Sequence, residues 1–192
     1  MHMSTDYVFD GRSSTPYTEE SLTNPQSVYG ASKLKGEETA LNADPRTIIV
    51  RTSWVYSSYG KNFVKTMLRL MNEKDEISVV NDQYGSPTYA ANLAAALIAM
   101  VGTCQKEGEK ERGGMYHYSN EGVITWYEFA VAIRELAGLN CQIHAISTAE
   151  YPTAAKRPAY SVLDSAKIQK DFGIKLRYWK DSLRDCLERL AR

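Results

Sequence analysis

Tyr29 and Lys33 have the residue types and the spacing of a proton-donating pair. Residues four positions apart lie on one face of an α-helix, so both side chains would project into the same cleft. When a hydride reduces a carbonyl group, negative charge develops on the oxygen, and a phenol within hydrogen-bonding reach can protonate it as a general acid. The ammonium group of Lys33 would stabilise the phenolate that remains. The same spacing also occurs by chance in helices, where the lysine is a solvated charge and the tyrosine a packing residue.

Thr5 offers a second donor for the same reaction. Its hydroxyl would donate to the carbonyl oxygen, so two preorganised groups would surround the developing charge. A strand that ends near Phe9, a loop rich in Gly, Ser, Thr and Pro, and a helix entered at Ser27 fit between Thr5 and Tyr29. Both side chains would then meet at the carboxyl end of the strand, where open α/β sheets bind their ligands.

The elements that carry these residues predict a βαβ unit. Residues 1–9 are expected to be the end of one strand, and residues 47–51 form a nearly continuous apolar run typical of a strand buried on both faces of a parallel sheet. A helix over residues 27–41 joins the two, which implies a right-handed crossover between parallel strands.

Capping residues and hydrophobic patterns predict the remaining elements. Asn62 can cap a helix, Thr125 and Glu128 have the spacing of a capping box, and Gly138 is a typical helix-ending residue. The predicted helices cover residues 62–72, 90–101 with Gly102 as the stop, 126–137, 165–171 and 180–191. The predicted strands cover residues 77–80, 115–118 and 141–146, with loops over 81–88 and 103–114 and an ordered turn at 157–158.

The composition is that of an ordinary globular protein. The 192 residues are 43% hydrophobic and 24% charged, which favours one compact unit with a real core. Lysine and arginine number 23 and the acidic residues 23, so there is no basic field for nucleic acid or for a membrane surface. The three scattered cysteines favour free thiols in a reducing cytoplasm. The histidines lie too far apart in sequence to indicate a metal site, and none is predicted.

Longer stretches around Tyr29 resemble a known family. Residues 4–11, Pro16-Tyr17, Asn24-Pro25 and residues 29–37 resemble the extended short-chain dehydrogenase/reductases that act on nucleotide sugars, and most of all the dTDP-4-dehydrorhamnose reductase branch. Residues 51–56, 62–63, 82–88 and 157–164 match the same family in order, so the resemblance covers nearly the whole chain. It implies an α/β fold: the C-terminal part of a Rossmann-like parallel sheet over residues 1–80, and a smaller substrate-binding α/β region over residues 81–192.

The resemblance also implies roles for individual residues. Thr5, Tyr29 and Lys33 would be catalytic, and Tyr29 and Lys33 would also hold the nicotinamide ribose of NADPH or NADH. Asp6, Trp54 and Arg157 would contact the substrate. Trp54 has the alternative role of a core anchor after a strand, and Arg157 that of a surface ion pair. The loop over residues 83–88 would either contact the sugar or be a turn stiffened by Gly85 and Pro87.

The reaction implied is the NAD(P)H-dependent reduction of dTDP-4-dehydro-6-deoxy-L-mannose to dTDP-L-rhamnose. Another nucleotide-sugar reductase or epimerase of the same superfamily is the first alternative, since the motifs indicate the reaction type better than the sugar. The second alternative is a non-catalytic binding or regulatory subunit that keeps the fold.

The sequence departs from the family pattern in two places. Some members hold magnesium through carboxylates just after the Pro-Thr segment, but Tyr89, Ala90, Ala91 and Asn92 stand here, and no such site is expected. None of the 12 glycines forms Gly-x-Gly-x-x-Gly, the turn that binds the pyrophosphate. The chain is therefore expected to be a C-terminal portion of a reductase, inactive without its dinucleotide-binding segment, with an uncovered sheet edge at residues 1–9 that favours a homodimer.

Overall fold

The computed structural model describes residues 1–106, 112–152 and 157–191. The strands are β1 (His2–Thr5), β2 (Ile48–Thr52), β3 (Val55–Tyr56), β4 (Glu76–Val80), β5 (Tyr84–Gly85), β6 (Thr88–Tyr89), β7 (Gly114–Tyr118), β8 (Ile124–Thr125) and β9 (Gln142–Ile146). The α-helices are α1 (Val28–Ala43), α2 (Phe63–Glu73), α3 (Ala90–Lys106), α4 (Trp126–Ala137), α5 (Ala166–Phe172) and α6 (Trp179–Leu190), and short 3₁₀ turns cover Asp6–Val8 and Thr148–Glu150.

The predicted βαβ unit is present. Strand β2 lies between β1 and β7, and both neighbours run parallel to it. Thr5 pairs with Thr52, which pairs in turn with Tyr118, so the carboxyl ends of the three strands lie side by side. Apolar side chains of β2 and β7 pack against α3 and α5 in one hydrophobic cluster. Every residue of β2 is buried, as its apolar run predicts.

A second hydrophobic cluster surrounds Phe129, which is fully buried. Helices α2, α4 and α6 contribute to this cluster, together with the parallel pair of β4 and β9. Strand β4 thus pairs with a strand from after residue 80, and β2 pairs with β7 in the same way. The division of the chain at residue 80 stays a prediction.

The capping signals are confirmed. Ser27 and Asn62 accept hydrogen bonds from the first turns of α1 and α2. Thr125 and Glu128 form the capping box of α4, which ends at Gly138 with φ of 64°. These signals act over three or four residues, so tertiary packing does not need to create them.

Three predicted boundaries were wrong. The first strand ends at Thr5 rather than near Phe9, because the Thr5 hydroxyl accepts from the amide of Tyr7 and starts a 3₁₀ turn. Helix α3 continues through Gly102 to Lys106, and Cys104 packs against the cluster beneath it. The predicted loop over 103–114 therefore begins with helix, and its residues 107–111 lie outside the described residues. The predicted loop over 81–88 contains β5 and the first residue of β6.

No helix in the described ranges combines the length and the apolar character needed to cross a membrane.

Candidate functional site

Tyr29 and Lys33 lie in the first two turns of α1, next to β1. Tyr29 is 55% exposed, and its ring meets the ring of Tyr7 edge to face, with 5.8 Å between centroids. The Lys33 ammonium donates to the carbonyl oxygen of Met3 at 2.6 Å. Both predicted residues therefore lie beside β1 and the 3₁₀ turn that follows it, and Tyr29 is accessible to solvent.

Gly30 allows the helix to approach this turn closely. A Cβ atom at position 30 would lie 2.2 Å from the carbonyl oxygen of Tyr7, which is backbone and cannot move aside. The amide of Gly30 also donates to the Ser27 hydroxyl at 3.1 Å. The helix is thus seated directly on backbone, which brings Tyr29 over Tyr7.

Tyr7 is a site residue that the sequence analysis did not single out. Burial raises the pKa of its phenol, the Asp6 carboxylate adds to this effect, and Arg157 opposes it. Tyr7 therefore stays a neutral phenol beside Tyr29. The resemblance included residue 7 in a matching stretch, but no spacing rule assigned it a role.

Thr5 and Asp6 form a buried pair. The Thr5 hydroxyl donates to Asp6 Oδ1 at 2.9 Å, and Asp6 Oδ2 is buried with no hydrogen-bond partner among the described residues. Burial raises the pKa of Asp6 to about 6, although the hydroxyl groups of Thr5 and of nearby Ser161 act to lower it. Ser161 is a second residue that the sequence analysis left without a role. Asp6 is only 3% exposed, so its immediate partner is the Thr5 hydroxyl.

The raised pKa of Asp6 predicts that the difference in stability between the wild type and an Asp6→Asn variant depends on pH. The folded chain binds this proton more tightly than the unfolded chain, whose pKa is near the ordinary 3.8. Wild-type stability relative to the variant is therefore greatest below pH 3.8 and is lost as pH rises to about 6. A shift of this size corresponds to about 3 kcal/mol of unfolding free energy. Urea unfolding of both proteins across this range measures it, and a difference that does not change with pH would contradict it.

Trp54 lies just after the carboxyl end of β2 and has a strained backbone conformation. Its φ of 47° lies in the left-handed region that a bulky residue rarely adopts. Its indole stacks on that of Trp126, with centroids 3.6 Å apart and planes 10° from parallel, and the Trp126 ring in turn contacts Phe63. Trp54 is half-buried and packs against the Phe129 cluster, so it has the contacts of a core anchor while one part of it stays accessible.

Gly85 is the residue that allows Trp54 this position. A Cβ atom there would lie 2.4 Å from the Trp54 indole. We expect Gly85→Ala to displace the indole, shift the tryptophan emission spectrum and lower the unfolding free energy by about 1–3 kcal/mol. Gly102→Ala is the matched control, because nothing lies within 4 Å of its added Cβ in α3, and it is expected to stabilise by about 0.5–1 kcal/mol. Unchanged emission in Gly85→Ala would contradict this role of Gly85.

Arg157 lies at the rim of a cavity of about 580 Å³ that begins at the first 3₁₀ turn. Tyr7, Phe9, Ser27, Asp82 and Thr148 line other parts of its wall. Arg157 is exposed, and no ion pair involving it occurs within the described ranges, so nothing there supports the surface-ion-pair alternative. The guanidinium belongs to an exposed residue of the cavity wall, where it adds positive charge.

The loop after β4 supports this cavity through Thr148, which the sequence analysis did not identify. The Asp82 carboxylate accepts from the amide and the hydroxyl of Thr148, the latter at 2.6 Å. The Gln83 amide donates to the same hydroxyl at 2.9 Å. Gln83 is buried, so its observed role is to tether this part of the wall.

Comparisons with known proteins agree on one family. The model of the RmlD substrate binding domain matches residues 1–192. A dTDP-4-dehydrorhamnose reductase of Sinorhizobium fredii is 46% identical over 96% of the chain, which covers 64% of that protein. The structure of a dTDP-4-dehydrorhamnose reductase from Clostridium acetobutylicum superposes with a TM-score of 0.93 at 40% identity, over 100% of this chain and 65% of that one.

A third relative is a dTDP-4-dehydrorhamnose reductase from Bacillus anthracis whose structure holds NADP. It superposes with a TM-score of 0.91 at 38% identity, over 98% of this chain and 64% of that one. The chain described here thus spans less than two thirds of the length of each of these three relatives.

Proposed function

We propose that this chain, which belongs to the family of RmlD substrate-binding domains, is the sugar-binding and proton-donating part of an NAD(P)H-dependent nucleotide-sugar reductase. The predicted family and the predicted α/β fold are confirmed by the relatives and by the superposed structures. The observation that carries the function is the position of Tyr29, Lys33 and Thr5. Tyr29 contacts the Tyr7 ring and Lys33 donates to the Met3 carbonyl, so both lie beside β1, which ends at Thr5. Tyr7 in turn lines the cavity.

The proposed substrate is dTDP-4-dehydro-6-deoxy-L-mannose, reduced to dTDP-L-rhamnose. Its support is the shared name of the three relatives, dTDP-4-dehydrorhamnose reductase. The exposed Arg157 at the cavity rim supports an anionic ligand, because a guanidinium fork suits the oxygens of a diphosphate. Trp54 would form an apolar wall at the sugar end. Asp6 would act on the sugar through Thr5, given its burial.

The proposed cofactor is NADPH or NADH, which would supply the hydride. The accessible Tyr29 hydroxyl and the Lys33 ammonium fit the hydroxyl groups of a nicotinamide riboside, since together they offer a donor, an acceptor and a positive charge. No residue of this sequence is assigned to the pyrophosphate, because Gly-x-Gly-x-x-Gly does not occur in it. The Bacillus anthracis relative binds NADP.

The proton would come from Tyr29. As charge develops on the substrate oxygen, the phenol would donate its proton and the Lys33 ammonium would stabilise the phenolate. The Thr5 hydroxyl now donates to Asp6 Oδ1, so it would have to exchange this acceptor for the substrate oxygen. The buried carboxylate thus keeps the Thr5 hydroxyl oriented until a substrate arrives.

A homodimer through the edge of β1 is a further part of the proposal. In the described part of the chain, β1 lies at the end of the three-stranded sheet and pairs with β2 alone. An unpaired strand edge favours pairing with another chain. Size exclusion with light scattering is expected to detect a dimer, and a monomer that persists at high protein concentration would exclude it.

The function is tested on this chain and on a version extended upstream by a dinucleotide-binding segment of a relative. We expect this chain to bind dTDP in calorimetry, and Arg157→Ala to weaken that binding. The extended version is expected to oxidise NADPH with the dTDP-keto sugar. Turnover with a uridine or guanosine sugar instead would identify another reductase of the superfamily. Binding of the nucleotide sugar without turnover in either form would identify a binding subunit.

A further inference from the structure

Helix α1 is joined to the sheet by a buried ion pair that has no part in the proposed chemistry. Arg51 Nε and Nη2 donate to Glu37 Oε1 and Oε2 at 2.9 and 2.7 Å, which is a forked, two-bond arrangement. The side chains of Arg51 and Glu37 are only 3% and 1% exposed. Arg51 belongs to the central strand β2, so the pair connects the helix to the middle of the sheet.

Helix α1 contacts the rest of the fold through polar anchors and through Leu34, which packs against the apolar cluster of Val8 and Phe9. Gly30 and Glu37 are its only fully buried residues. Tyr29, Lys33 and Glu37 follow one another at intervals of four, which is one stripe along the helix. Two residues of that stripe are anchored at long range: Lys33 to the Met3 carbonyl, and Glu37 to Arg51. Both anchors are directional bonds, so they resist rotation of α1 about its axis.

The surroundings of Arg51 keep the pair in one geometry. The guanidinium lies over the Phe9 ring at 5.1 Å from its centroid, and Phe9 stacks on Tyr17. His117 stands opposite Arg51 on β7, and burial, together with the charge of Arg51, lowers its pKa to about 3. His117 is therefore neutral, and Glu37 is the counter-charge of the buried cation.

We propose that Glu37 and Arg51 are positioning residues that set the rotation of α1, and with it the place of Tyr29 and Lys33 above the end of β1. A slide or rotation of the helix would break the forked hydrogen bonds and leave two unpaired charges in the interior. An apolar contact would tolerate the same movement more readily because it has no preferred direction. That this positioning serves catalysis rests on the proposed function. The effect of the ion pair on the place of Lys33 and Tyr29 does not.

The test measures Lys33 in a variant that keeps the fold without the ion pair. Replacing both partners by apolar residues, Glu37→Leu with Arg51→Leu, leaves no buried charge unpaired and often preserves stability. The acylation rate of Lys33 relative to the exposed Lys61 is followed by mass spectrometry, alongside the NMR signals of the Tyr29 ring. The control is Glu38→Gln, which removes the exposed Lys35–Glu38 pair of the same helix.

In the folded double variant, we expect Lys33 to react roughly tenfold faster, the order expected when a charged group loses its hydrogen bond, and the Tyr29 signals to shift. Glu38→Gln should change neither. An unchanged Lys33 acylation rate and unchanged Tyr29 signals, in a double variant that unfolds cooperatively, would overturn the proposal. If the double variant fails to fold, Glu37→Asp and Arg51→Lys are measured in its place. If those fail as well, the pair is a folding requirement and the proposal is wrong. No cofactor or substrate enters these measurements, so an inactive extended enzyme would leave their outcome unaffected.

Discussion

Tyr29→Phe in the extended, cofactor-binding version is expected to lower turnover of the dTDP-keto sugar by roughly 10²–10⁴-fold, the usual contribution of a general acid. The hydroxyl is the only group removed, and the phenyl ring can keep its edge-to-face contact with Tyr7. Sugar and nucleotide affinity should therefore change little. The measurement is NADPH oxidation under saturating substrate, with calorimetry for binding.

The matched control for this prediction is Tyr59→Phe, which removes the hydroxyl of a tyrosine that is 80% exposed. It is expected to leave turnover unchanged. If Tyr29→Phe kept normal turnover, a different group would supply the proton. If it lost nucleotide-sugar binding along with turnover, Tyr29 would be a binding residue rather than the acid.

The second large effect is on stability. Glu37→Gln is expected to lower the free energy of unfolding by about 3–5 kcal/mol, because it leaves the Arg51 guanidinium buried without its counter-charge. Arg51 Nη1 already lacks a partner among the described residues, so the cation has little else to compensate it. Urea unfolding at constant pH measures the change.

Glu38→Gln is again the comparison, because its partner Lys35 is 76% exposed and such pairs contribute about 0–1 kcal/mol. The double replacement of Glu37 and Arg51 by leucine should recover most of the stability lost in Glu37→Gln. Equal stability of Glu37→Gln and Glu38→Gln would mean that water or a rearrangement compensates Arg51. The pair would then be much weaker than its burial indicates.

Short-range patterns in the sequence determined the longer elements of the fold, but not the two-residue strands β3, β5, β6 and β8. The helix-starting residues Ser27 and Asn62 and the capping box at Thr125 were predicted correctly, because a cap is made by residues three or four apart. The apolar run of β2 likewise indicated a buried parallel strand. The predictions that failed were boundaries. Gly102 does not end α3, because the apolar face of this helix continues to pack beyond the glycine.

The sequence by itself also determined that Tyr29 and Lys33 share one face of a helix, since helical pitch alone sets that relation. Only the tertiary structure decided the contacts of other residues in and around the site. Thr5 donates to Asp6, Trp54 stacks on Trp126, and Arg51 binds Glu37. The last two contacts join residues on different elements of the fold, whereas Thr5 and Asp6 are neighbours in sequence and packing decided that both are buried. Contacts between different elements arise from how strands and helices pack, and no local spacing encodes them.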